Sequence, residues 1–151
     1  MAQILTGVVT NRGRELFAKS LGSLGGFDLV QAVKFRYGEG GFIEVPGGGK
    51  IPKEPDPTLL NVEAPTWNPA PLFSFEKPLT PSDFNFIAPF TIEIRCRLNP
   101  SEANLNLSLL SPKFFELGIF DGNSNMLAYA TFDEQTKTAT KSLISFVQIF
   151  F

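Results

Sequence analysis

The sequence predicts an α+β fold: one amino-terminal amphipathic helix packed on a mainly antiparallel β-sheet, with a long Pro/Gly-rich arm inserted. Three observations carry this expectation. A helical apolar spacing follows a capping residue near position 10, strict apolar/polar alternation marks residues 90–98, and residues 38–83 hold most of the prolines. At 151 residues the chain has the size of one domain, able to bury a core without metal or disulfide help. Residues 1–151 are therefore read as a single unit, and residues 38–83 as its extended insertion.

Thr10 or Asn11 can cap a helix whose apolar residues Leu16, Phe17, Leu21 and Leu24 share one face at about 100° per residue. Glu15 and Lys19 stand four apart in the favourable order, and Gly22, Gly25 and Gly26 offer places to stop. Gly13 is out of place in a first turn unless another backbone approaches it closely. Residues 27–37 then read as a strand with Val33, Phe35 and Tyr37 on one face and Lys34 and Arg36 on the other.

The run from Gly38 to Pro81 is broken by glycines and prolines that cannot sustain helices or central strands. Its apolar residues, among them Phe42, Leu59, Trp67 and Phe73, argue for an arm that clasps the domain or a neighbour. Beyond it, Phe90, Ile92, Ile94, Cys96 and Leu98 alternate with Thr91, Glu93, Arg95 and Arg97, a strand with one buried face. Leu105, Leu107 and Leu109 suggest a weaker strand or an irregular return. Residues 114–120 and 126–132 flank a turn-rich pentapeptide, Asp121 to Asn125, and predict a hairpin. Residues 143–151 are apolar on both faces, as in a central strand or a subunit interface.

Composition excludes several kinds of chemistry. The chain has no histidine, which removes the commonest general base and the Ser-His and Cys-His nucleophile arrangements. Single Cys96 cannot form an internal disulfide and reads as a small core residue of a protein that folds in a reducing cytoplasm. A net charge of −2 leaves no electrostatic footprint for nucleic acid or an anionic membrane, so the basic/aromatic interleaving of residues 34–37 and 95–97 is taken as strand alternation. No apolar run reaches the roughly 18 residues of a membrane span, and no signal segment opens the chain, so neither membrane nor export is expected.

Glycosidase-like carboxylates are available at Asp83, Glu93, Glu102, Glu116, Asp121, Asp133 and Glu134, but the pattern puts them in turns or on solvent-facing strand positions. The run ending Gly49-Lys50 has Glu44 and Ile51 where a phosphate loop needs Gly and Ser or Thr, and residues 38–43 lack the third glycine of a dinucleotide fingerprint. The reading is of a non-enzyme with no cofactor and no metal. The 16 Phe against one Trp and two Tyr are a heavy load for this length, satisfied either by a Phe-rich monomer core or by burial against other subunits.

Two segments carry a resemblance. Thr10, Gly13, Arg14, Leu16 or Phe17, Ala18 and Lys19, followed by Phe35-Arg36-Tyr37-Gly38-Glu39-Gly40, form the first. Glu116-Leu117-Gly118-Ile119-Phe120 with Leu127-Ala128-Tyr129 form the second. In order and spacing they resemble the amino-terminal attachment domain of phage tail-collar and tail-fibre proteins, while residues 41–83 match nothing in that pattern. The resemblance implies a structural role in a contractile tail or injection-system baseplate, made and assembled in a bacterial cytoplasm. It also implies other tail or baseplate proteins, and a tail fibre, as partners, and a homo-oligomer, with a trimer favoured. Because the chain stops at Phe151 without a shaft, it reads as an adaptor and not as the fibre that recognises the host.

Trp67, Leu72, Phe73 and Phe75 of the arm and Phe146, Val147, Ile149, Phe150 and Phe151 of the last strand are the expected subunit contacts. The competing expectation is a surface-binding module that recognises carbohydrate or host protein through Trp67, Phe73 and neighbouring loop aromatics.

Overall fold

A computed structural model describes residues 2–22, 30–63, 76–103 and 112–151. The elements are β1 (Ala2–Val9), α1 (Asn11–Gly22), β2 (Lys34–Gly38), β3 (Phe42–Glu44), β4 (Lys50–Pro52), β5 (Glu76–Pro78), β6 (Phe84–Ala88), β7 (Thr91–Leu98), β8 (Lys113–Phe120), β9 (Met126–Thr136) and β10 (Leu143–Phe150). A 3-10 turn, Pro81–Asp83, precedes β6. The suggested strand around Leu105, Leu107 and Leu109 lies outside the described residues.

The expected α+β architecture is overturned. Among the described residues the protein is mostly β, 50% strand against 12% helical, built on one large curled sheet of eight strands. Their order is β5-β2-β8-β9-β1-β10-β7-β6, and β3 and β4 form a separate hairpin. The reason lies in what covers the sheet. A twisted sheet this wide can fold its inner face on itself, which leaves a helix little to bury. Gly13 is the buried residue of α1, and Leu21, expected on its apolar face, is exposed.

β1 makes the curl. Ala2 to Gly7 run parallel to β10, whereas Val8 and Val9 pair antiparallel with β9, so one strand passes from one half of the sheet to the other. Phe35, Tyr37, Leu117, Ile119, Ala130 and Phe132 from one half meet Ile94, Cys96, Leu98, Leu143 and Val147 from the other. Tyr37 crosses the middle, its hydroxyl donating to the Cys96 carbonyl at 2.9 Å and sharing a hydrogen bond with Ser145 Oγ at 2.7 Å. Its ring packs on Phe114 and Phe132, at centroid distances of 5.4 and 6.1 Å.

The described part of the arm turns back on the chain's own β8–β9 hairpin. Phe42 packs on Phe115 at a centroid distance of 4.7 Å, and Val62, with Leu59 beside it, packs with Phe120, Met126 and Tyr129. Thr131 Oγ1 donates to the Lys53 carbonyl at 2.6 Å, and Asn11 N–H to the Pro57 carbonyl at 2.7 Å. β8 is therefore covered on both faces, by the core and by the arm, which accounts for its unbroken run of buried residues after Lys113.

Candidate functional site

The residues of the two resembling segments come together at two joints. At the first, Thr10 caps α1: its Oγ1 accepts from Gly13 N–H at 2.9 Å and donates to the Met126 carbonyl, while its own N–H donates to the Leu127 carbonyl at 3.0 Å. Gly13 lies so close to β9 that a Cβ there would stand 2.4 Å from the Leu127 carbonyl oxygen. The unexplained glycine of the first helical turn thus has its cause in a strand more than a hundred residues away. Arg12 Nε adds a bond to Asn125 Oδ1 at 3.1 Å, and Glu15 pairs with both Arg12 and Lys19.

At the second joint Glu116 is buried, not solvent-facing as its strand pattern suggested. The arm is what buries it. Its carboxylate accepts from the Tyr129 hydroxyl and from the backbone N–H groups of Glu63, at 2.5 Å, and Gly40. Gly41 sits over it with φ +82°, a left-handed conformation that lets the chain turn into the arm. Burial pushes the Glu116 carboxyl above the usual carboxylate range, against the Tyr129 and backbone hydrogen bonds that favour its ionised form. Burial and the neighbouring carboxyl push the Tyr129 hydroxyl up in turn.

Most of the other carboxylates considered for catalysis have structural partners. Asp83 accepts from Thr80 and from Arg95, Glu102 from Lys77 and Asn99 N–H, and Glu93 from Gln148. Asp121 closes the hairpin turn through Asn123 and Asn125 N–H, and Glu134 lies 3.5 Å from Lys113. Lys34 and Arg36 both engage Glu76, while Phe35 and Tyr37 are buried, so the basic/aromatic pattern is strand alternation with its cations paired. Cys96 is fully buried and burial pushes its thiol up, which makes it unreactive. Among the described residues no three His, Cys, Asp or Glu side chains cluster as a metal site.

One cleft of about 880 Å³ opens where α1, the turn between β6 and β7 and the end of β10 converge. Phe17, Leu79, Phe84, Phe86, Phe90 and Phe151 are among its lining residues, and none of the described lining side chains is charged. Phe17 and Phe151 meet edge to face at 6.1 Å. Its described lining suits apolar side chains.

The expected subunit contacts fall in three places. Val147 and Ile149 point into the chain's own core. Phe146 is half-buried on the outer face of β10, next to Ile4 of β1 and Arg95 of β7. Phe150 and Phe151 are exposed at the strand's end. Trp67, Leu72, Phe73 and Phe75 lie outside the described residues. Sequence reasoning missed β1 and β6; the alternation of Leu5, Gly7 and Val9 was the available signal for β1. Comparison with family models, with curated proteins and with solved structures finds no match to this chain.

Proposed function

We propose that this chain is a structural component of a phage-like contractile tail or related injection system, a tail-fibre attachment or baseplate adaptor that works through subunit contacts. The observation that carries the reading is the pair of joints. Residues that resemble the tail-collar attachment domain, distant in sequence, interlock as Thr10 and Gly13 with Leu127, and as Gly40 with Glu116, whose carboxylate also accepts from Tyr129. Motifs that set a fold in this way are what a shared attachment domain would retain, and function would then reside on the surfaces that they hold in place. The carboxylates engaged in ion pairs and turns, and the uncharged apolar cleft, suit a docking protein better than a hydrolase.

The test is to purify tail particles from the producing cells and to probe them with an antibody against this chain. Labelling at the baseplate end, with the chain recovered from washed particles at stoichiometric level, is the expected result. Its absence from intact tails overturns the proposal.

A further inference from the structure

β6 is an edge of the sheet among the described strands, with a register shift between Phe86 and Ala88. No described strand pairs on its far side, and residues 85–90 are all exposed. Its sequence, Phe84-Asn85-Phe86-Ile87-Ala88, carries no charge. Phe86 is 81% exposed and Phe90 72%, with Phe150 at 57% and Phe151 at 67% close by, where Phe151 N–H donates to the Phe90 carbonyl at 2.7 Å. The opposite edge, β5, is guarded in the usual ways: three residues long, ending in Pro78, with Glu76 and Lys77 in ion pairs. An edge left with open backbone groups and large apolar side chains calls for another extended, uncharged strand.

We propose that β6 pairs antiparallel with β6 of a second copy of this chain, joining the two sheets across a two-fold axis. The choice of a second copy rests on self-complementarity and area. A charge-free strand meets its own copy without like-charge repulsion, whereas β5 offers it only charged or proline positions. At roughly 200 Å² per ring the four phenylalanines expose about 550 Å² per copy. Two copies thus hold about 1,100 Å² of exposed aromatic surface at and beside the seam, next to the ~1,000 Å² that a specific interface buries. The register that overlaps all five residues sets Phe86 opposite Phe86 of the second copy. The pairing builds a dimer and stands whether or not the chain is a tail component.

Sedimentation equilibrium on the purified chain tests it. The wild type is expected at twice the chain mass. Phe86→Lys, which alters an exposed side chain and should leave the circular dichroism spectrum unchanged, is expected to weaken association about thirtyfold or more. Ile51→Lys, on the exposed β3–β4 hairpin, should leave association as it was. Phe86→Cys supplies an accessible thiol beside the buried Cys96, and directly opposed residues of antiparallel strands lie within disulfide reach, so mild oxidation should yield a covalent dimer. A wild-type monomer, a dimer that survives Phe86→Lys, or no cross-link from Phe86→Cys overturns the pairing. None of these results bears on tail localisation.

Discussion

Gly13 and Glu116 show how single residues record distant contacts. On an isolated helix Gly13→Ala would stabilise by about 1 kcal/mol. Here the added methyl meets the Leu127 carbonyl at 2.4 Å, and strand and helix must separate. The variant is expected to lose about 1–3 kcal/mol in urea denaturation, opposite in sign to the propensity effect. Glu116→Ala strands the buried Tyr129 hydroxyl and the Glu63 and Gly40 N–H groups, with an expected loss of about 2–4 kcal/mol. Glu116→Gln keeps an acceptor and should cost about 1 kcal/mol. A carboxyl whose folded pKa lies above its unfolded value stabilises fully at low pH and loses that contribution as pH rises through the folded value. The wild type should therefore lose stability relative to Glu116→Gln as pH rises above the ordinary carboxylate range, and equal slopes for the two proteins would refute the account.

Among the elements, β1 and β10 carry the connectivity. β10 pairs on both sides, with β1 and β7, and β1 ties both halves of the sheet. Amide hydrogen exchange should be slowest in β8, β9 and β10 and fastest in the β3–β4 hairpin, which lies at the margin of the fold. Fast exchange in β10 would contradict its central place. Strand legibility followed the same division. β7, β10 and the β8–β9 hairpin were readable because their patterns were long and bounded by turns. β1 was overlooked since its inward residues include Gly7, and β6 since an exposed strand with Phe on the outside shows no apolar/polar contrast.

For the whole molecule, charge and burial act in opposition. Burial raises Glu76, Asp83 and Glu102, but hydrogen bonds and cations outweigh it: Lys34 and Arg36 at the first, Thr80 and Arg95 at the second, Asn99 and Lys77 at the third. Their folded values are lowered, so their contribution is present above the ordinary carboxylate range and is lost as pH falls through the folded values. With Glu116 acting in the other direction, stability should peak in mildly acidic solution, and the acid limb should weaken in high salt, because these pairs are partly exposed. Chemical denaturation across pH at two salt concentrations checks this. A steady rise from about pH 4 to about pH 8 would contradict it.

By itself the sequence determined that β7, β8, β9 and β10 are strands with a buried face, where the hairpin turns, that Thr10 begins a helix and that histidine chemistry is absent, whereas the strand expected over 27–37 forms only from Lys34. These follow from periodicity and turn preference, which act over a few residues. Tertiary structure alone decided that the sheet curls on itself and displaces the helix to the margin, that the arm buries Glu116, and that β6 is an edge among the described strands. Those outcomes depend on which distant strands pair and on what remains to cover each face. Neither is written in any local pattern, because the same alternation serves an inner face, an outer face and an edge.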